Sequence, residues 1–165
     1  MKKQVLILIG LKGSGKTYIG TLLEDRLHIK FFRVEEIWLS LKSERLANEY
    51  IEEGFSAVEK EIDKLLSSAD RIIIESTGTT DYFKVFLEKL RIKYSLKLIK
   101  VKTSPELCLR RVKSRDSSVH VPVSDDIVSQ INQDAINVNL NYDIIIDNEK
   151  SSDDEIVDKI YKIIN

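Results

Sequence analysis

The sequence predicts an α/β fold of three layers, with a parallel sheet held between two sets of helices. Two observations carry this. Short apolar runs alternate along the whole chain with segments whose apolar residues recur at helical spacing. The runs themselves are apolar without polar alternation, as strands buried on both faces of a parallel sheet are. Crossovers between such strands are right-handed, and ligands bind beyond the strands' carboxyl ends. Chemistry is therefore sought just after each strand.

The first strand is residues 4–9, Gln-Val-Leu-Ile-Leu-Ile. A glycine-rich turn follows, then a helix with Ile19, Leu22, Leu23 and Leu27 on one face. Residues 30–34 form a short second strand, and 35–41 are helical. Phe55, Val58, Ile62 and Leu65 step by three, four and three, which marks a longer amphipathic helix, with Gly54 as its start or as a separator before it. A third buried strand, 71–74, ends at Glu75. Phe83, Phe86, Leu87 and Leu90 mark the next helix, with Asp81 near its start. The fourth strand is 96–101. Ser104, Pro105 and Glu106 supply a capping hydroxyl, a first-turn proline and an acid at the positive end of the dipole, for a helix running to about residue 114. Residues 117–123 are polar and irregular. Ser124 caps a helix carrying Ile127, Ile131, Ala135 and Val138. The fifth strand is 143–146, and Ser152 starts a terminal helix with Ile156, Ile160, Ile163 and Ile164.

A chain of 165 residues, 42% hydrophobic and 32% charged, suits one soluble globular domain over residues 1–165. The net charge of -1 lacks the positive excess of a domain that grips nucleic acid, so general nucleic-acid binding is disfavoured. Cys108 is the single cysteine, so no disulfide forms within the chain, and a reducing, cytoplasmic setting is expected. It falls in a helical pattern with Leu109 and Val112 and reads as a small core residue. The apolar run at 5–9 is far short of the roughly twenty residues of a membrane span, and no signal peptide is expected.

The strongest motif is residues 10–17, Gly-Leu-Lys-Gly-Ser-Gly-Lys-Thr, between the first strand and the first helix. It matches Gly, any four, Gly, Lys, Ser or Thr. A triphosphate needs several backbone N–H groups pointing inward together, and Gly10, Gly13 and Gly15 let the chain curl that tightly. Ser14 and Tyr18 belong to the same nucleotide-binding set, and the helix adds its positive end. Lys16 supplies a cation for the β- and γ-phosphates, and the Thr17 hydroxyl can ligate magnesium. A nucleoside triphosphate, ATP, with Mg2+ is the expected cofactor pair. Lys12 is either a phosphate contact or a solvated loop lysine.

Other candidates follow the remaining strands. Glu75 can hold magnesium or orient a nucleophile. Ser76 and Thr77 are turn residues or substrate contacts. Glu35 and Glu36 stand where a carboxylate would position an acceptor hydroxyl and help it lose its proton. Arg111 and Arg115, four apart, share a helix face and can clamp phosphate oxygens; Arg110 is on another face. Trp38 reads as core packing, with an acceptor pocket as the alternative. His28 and His120 have no metal-ligand companions at useful spacing.

The loop, Glu75 and the arginines together make the chain resemble the small P-loop kinases: shikimate kinase, the adenylate-kinase-like group, and related small-molecule and polynucleotide kinases. The resemblance spans nearly the whole chain. It implies a five-stranded sheet in the order 2-3-1-4-5, and a short lid near 115–124 with Arg111 and Arg115 as its arginines. Where such kinases carry Asp-any-Asp after the second strand, this chain has Phe32-Arg33-Val34-Glu35. Glu35 matches the second acid and is preferred to Glu36. Arg33 replaces the first, which argues against shikimate as acceptor. Residues 120–123 are faintly like a stretch of polynucleotide kinases, and 142–148 resemble the family's last strand, whose following loop lies near the adenine. The resemblance implies transfer of the γ-phosphate of ATP to a small-molecule or nucleotide acceptor. The alternatives are a nucleotide-binding or hydrolysing switch, which the missing guanine-selecting Asn-Lys-any-Asp element disfavours, and a polynucleotide end kinase, which the near-neutral charge disfavours.

Overall fold

The computed structural model describes residues 2–41, 47–115 and 124–165. Its strands are β1 (Gln4–Ile9), β2 (Lys30–Phe31), β3 (Arg71–Ser76), β4 (Ser95–Lys102) and β5 (Ile144–Asp147). All pair in parallel, in the expected order β2-β3-β1-β4-β5. Between them run α1 (Lys16–Leu27), α2 (Glu35–Ser40), α3 (Ala47–Ser68), α4 (Asp81–Lys93), α5 (Pro105–Lys113), α6 (Asp125–Ile136) and α7 (Asp153–Ile164).

Successive strand residues point to opposite faces, and this divides the core into two layers. Val5, Ile7 and Ile9 of β1 join Ile72, Ile74 and Leu98 on one face, against Val58 and Ile62 of α3 and Phe83, Phe86 and Leu90 of α4. Leu6 and Leu8 join Ile73, Ile99 and Ile146 on the other, against Ile19 and Leu23 of α1 and Ile156 and Ile160 of α7. That is why β1 reads as an unbroken apolar run: it has no solvent face. Each such side chain, fully buried, contributes on the order of 1.5–3 kcal/mol. The register places Ile9 beside Ser76 of β3 and Lys100 of β4, so the glycine-rich turn and Glu75 emerge at one rim. Among the described residues no helix is long and apolar enough to cross a membrane.

Several local expectations need correction. The second strand stops at Phe31, not residue 34, because Phe32 N–H closes the pairing onto the Ile73 carbonyl and Val34 already starts α2. Ser104 does not cap α5 through its hydroxyl; its N–H instead donates to the Glu149 carboxylate. The buried face of α6 is rotated from the expected one. Val128 and Asn132 are buried and Ile127 is half-exposed, because α6 packs polar atoms of Asn132 onto the glycine-rich turn. On α3 the fully buried stripe is Val58, Ile62 and Leu66, with Leu65 at its margin. Ser124 and Ser152 do cap, the latter in a reciprocal capping box with Glu155. Cys108 is wholly buried, as expected of a core residue, and burial pushes its thiol pKa up.

Gly54 neither starts nor separates helices; it lies inside α3. A Cβ there would overlap the six-membered ring of Trp38 on α2. Glycine costs about 1 kcal/mol against alanine in a helix, and here that cost secures the close approach of α2 to α3. Gly54→Ala is therefore expected to destabilise the fold by about 1–3 kcal/mol in urea denaturation despite its better helix propensity. A neutral or stabilising result would show that the indole does not rest on this glycine.

Candidate functional site

The glycine-rich turn is built to leave backbone N–H groups free at its centre. Gly13 and Gly15 have φ of 90° and 95°, which favours glycine. A Cβ at Gly13 would strike the Cys108 carbonyl, and one at Gly15 the Asn148 amide. Gly15 is the N-cap of α1 and supplies no side-chain cap, so the first-turn N–H groups of Lys16, Thr17 and Tyr18 have no capping partner from it. The Tyr18 side chain turns away, half-exposed, with its hydroxyl donating to Asp153 of α7 at 2.7 Å. What Tyr18 can offer a phosphate is its backbone N–H.

Ser14 is fully buried. Its N–H donates to the Leu11 carbonyl, and its own carbonyl accepts from Thr103 Oγ1 and Asn148 Nδ2, both at 2.9 Å. Its role in this structure is to hold the turn's shape. Asn132 of α6 clamps the opposite side: its Oδ1 accepts from Lys12 N–H at 2.8 Å and its Nδ2 donates to the Lys12 carbonyl at 3.2 Å. Thr103 and Asn132 went unnoticed in the sequence, and Asn148 entered only as the end of the stretch that resembles the family's last strand. The one signal available was a polar residue, Asn132, one step from the expected apolar face of its helix.

Lys16 is 9% exposed and lies over the turn, donating to the carbonyls of Gly10 at 2.9 Å and Leu11 at 2.8 Å. Burial lowers its pKa to about 8; nearby Glu75 opposes the shift, while Arg115 and Lys12 add to it. Thr17 Oγ1 donates to Glu75 Oε2 at 2.9 Å, so the hydroxyl after the lysine and the carboxylate at the end of β3 meet, as their separate placement after two neighbouring strands required. Glu75 is itself only 7% exposed.

Lys12 Nζ lies 3.6 Å from Glu35 Oε1. Lys12 is therefore not the solvated loop lysine that the sequence allowed as one alternative. Glu35 faces the cleft, whereas Glu36 is exposed. Arg111 Nη1 donates to the Gly13 carbonyl at 3.4 Å, Arg115 lines the cleft, and Arg110 points to solvent. Arg33 is not among the lining residues. The expected lid falls on residues 116–123, outside the described residues, with Arg115 and Ser124 at its borders.

The cleft beside the turn has a volume of about 350 Å³. Its charged mouth carries Lys12, Lys16, Thr17, Glu35, Glu75 and Arg115. Its wall carries Trp38, Tyr50, Phe55, Phe83 and Phe86, with Ser76, Thr77, Thr79 and Thr80 along one side. Trp38 packs against the core, as the sequence reading had it, and also lines the cleft, which was the alternative; Tyr50 holds it, its hydroxyl donating to the Trp38 carbonyl at 3.0 Å. Ser76 and Thr77 likewise face the cleft.

A hard divalent cation takes oxygen ligands, and the paired Thr17 and Glu75 oxygens suit one. The turn, the positive end of α1 and the Lys16 ammonium suit a chain of phosphates. Nucleotide and acceptor can thus meet where the turn opens into the cleft.

Comparison with known proteins agrees with this arrangement. The family model described as "Shikimate kinase" matches residues 12–165. A shikimate kinase of Thermodesulfovibrio yellowstonii is 23% identical, over 95% of this chain and 92% of that protein. Among solved structures, the shikimate kinase of Acinetobacter baumannii in complex with shikimate superposes with a TM-score of 0.66 at 15% identity, covering 99% of this chain and 93% of that one. The APS kinase CysC of Mycobacterium tuberculosis, solved with AMPPNP and APS, gives a TM-score of 0.66 at 14% identity over 99% and 98% of the two chains. Since the family match takes in the turn from Lys12 onward, both carboxylates and the last four strands, the chain belongs to the shikimate kinase family and is an ATP-dependent kinase of small molecules.

Proposed function

We propose that the enzyme uses magnesium-ATP and transfers the γ-phosphate to a hydroxyl of an acceptor bound in the aromatic cleft. The observation that carries this reading is the convergence at one rim of Lys16, the Thr17–Glu75 pair and the Lys12–Glu35 pair, with the cleft opening between them. Thr17 and Glu75 would hold the magnesium ion, which neutralises phosphate charge when bound. The N–H groups of Gly13 and of Gly15 to Tyr18 cradle the phosphates. Lys16 leaves the Gly10 and Leu11 carbonyls for the phosphate oxygens, a stronger and charge-assisted pairing.

Glu35 orients the acceptor hydroxyl and receives its proton. The hydroxyl oxygen forms a bond to the γ-phosphorus as the bond from that phosphorus to the β–γ bridging oxygen breaks. The products are a phosphate monoester and ADP, with the proton on the Glu35 carboxylate. Arg111 and Arg115, beside the turn, stabilise charge on the transferring group. Cytoplasmic location is part of the proposal and is supported by the free, buried Cys108 thiol.

A switch whose output is a protein contact needs no acceptor cleft and no carboxylate beside it. The test is ADP release with magnesium-ATP against a panel of sugars, nucleosides, nucleotides, hydroxy acids, aromatic alcohols and oligonucleotides. Acceptor-dependent release with at least one small molecule is the expected result. Release that no acceptor stimulates would favour the switch, and stimulation by oligonucleotides alone a polynucleotide end kinase.

A further inference from the structure

Position 12 is among the residues that the phosphate-loop pattern leaves open, so the motif itself does not call for a lysine there. The structure nevertheless fixes this lysine at both ends. Its N–H donates to Asn132 Oδ1 at 2.8 Å and its carbonyl accepts from Asn132 Nδ2 at 3.2 Å, so α6 sets the point from which the side chain leaves the turn. At the other end Nζ lies 3.6 Å from Oε1 of Glu35, the first residue of α2. The two side chains are only 13% and 21% exposed, so their charges face each other with much of their water removed.

Lys12 and Lys16 leave the same turn but reach different partners. Lys16 Nζ donates to the Gly10 and Leu11 carbonyls, over the turn. Lys12 Nζ stands on the acceptor side, beside the carboxylate that receives the hydroxyl proton in the reading above. Its separation from Glu35 is that of an ion pair, longer than the roughly 2.7–2.9 Å of a direct charge-assisted hydrogen bond. What draws it to Glu35 is therefore mainly charge on charge, and that attraction ends when Glu35 takes up a proton. A partly buried ammonium that loses its counter-charge is costly to leave so. The phosphoryl group carries negative charge to the same rim in the same step. The flexible stem of a lysine can swing its ammonium from one anion to the other while Asn132 keeps the backbone in place.

We infer that Lys12 is a second catalytic lysine, which passes from Glu35 to the transferring phosphoryl group as the acceptor loses its proton. In that step the hydroxyl proton goes to the Glu35 carboxylate and the hydroxyl oxygen bonds to the γ-phosphorus. The bond from that phosphorus to the β–γ bridging oxygen breaks, leaving ADP. Lys12 stays protonated throughout and changes only its partner. It meets the phosphoryl group as charge develops and not in the bound ground state, so it contributes to rate and little to nucleotide affinity. This rests on the kinase reading with Glu35 as base, and adds a residue to it.

Lys12→Met removes the charge and keeps an unbranched side chain. It should lower kcat by about 10²-fold, the usual cost of losing one donor to the transition state. Calorimetry should find its affinity for a non-hydrolysable ATP analogue with magnesium within about threefold of the unaltered enzyme's. Magnesium-ADP with aluminium fluoride, which mimics the transferring phosphoryl group, gives a readout that needs no turnover: its affinity should fall by about tenfold or more. Lys12→Arg, which keeps the charge, should recover most of both losses, which a mere packing defect would not allow. Unchanged kcat and unchanged aluminium-fluoride affinity in a folded Lys12→Met enzyme would overturn the inference. So would ATP-analogue affinity that falls as far as kcat does, since Lys12 would then be a ground-state phosphate contact. Glu35→Gln, measured in parallel, separates this inference from the reading it rests on. Transfer lost in Glu35→Gln but kept in Lys12→Met overturns the role of Lys12 alone. Full transfer in Glu35→Gln, or no acceptor turned over by the unaltered enzyme, overturns both.

Discussion

Glu35→Gln lowers phosphate transfer by about 10²–10⁴-fold, the usual contribution of a positioned general base, and leaves magnesium-ATP binding nearly unchanged. The substitution keeps the side chain's shape and removes its charge. Glu35 follows β2 and reaches the cleft mouth, where Lys12 Nζ lies 3.6 Å from its carboxylate. The amide cannot take a proton from an acceptor hydroxyl. The phosphate loop does not depend on the charge of Glu35, since Lys12 is fixed through its backbone by Asn132. The two quantities must be measured on one purified variant: transfer by ADP release with the best acceptor, and nucleotide affinity by calorimetry. Loss of both together would indicate that the Lys12–Glu35 pair shapes the nucleotide site. Full transfer would exclude Glu35 as the base and turn attention to Glu75, the other carboxylate among the described residues that line the cleft.

Lys16→Ala lowers affinity for magnesium-ATP by roughly tenfold or more, because a charge-assisted bond to phosphate contributes about 1.5–3 kcal/mol. Transfer should fall further than binding, since Lys16 faces the charge that develops during the reaction. The fold should survive, because Thr103, Asn132 and Asn148 hold the loop through other atoms. Equal affinity in a folded variant would sink the assignment. A pH test isolates the same group. In the free protein burial lowers the Lys16 pKa to about 8. Bound phosphate favours the charged form, so nucleotide binding at pH 9 draws a proton from solution, and at pH 6 Lys16 already carries it. Affinity should therefore fall as pH rises through 8, by up to about tenfold per unit. Calorimetry in buffers of different ionisation heat would reveal the proton uptake, and the uptake should vanish in Lys16→Ala.

The alternation of strands and helices was legible from residue types alone because it follows from periodicity, whereas the strand order came from the resemblance to the small P-loop kinases. Unbroken apolar runs such as residues 4–9 have one stable environment, a strand covered on both faces, and helical spacing between them leaves few topologies. The phosphate loop was legible because glycines at 10, 13 and 15 and a lysine before the helix answer a single local demand for inward N–H groups. Pairings that follow from neighbouring strands were also within reach, as with Thr17 and Glu75. What only the tertiary structure decided involves residues distant in sequence. Asn132 holds Lys12 from 120 positions away, and the rotation of α6 that permits it turns one residue of the expected core, Ile127, outward. Gly54 looked like a break because its reason lies on another helix, in the ring of Trp38. Trp38 packs against the core as its sequence suggested, but that it also lines the cleft was not legible, since an aromatic residue on a helix has the same local signature in both settings. Local spacing records which face of an element is apolar; what that face meets depends on which distant elements the fold brings to it.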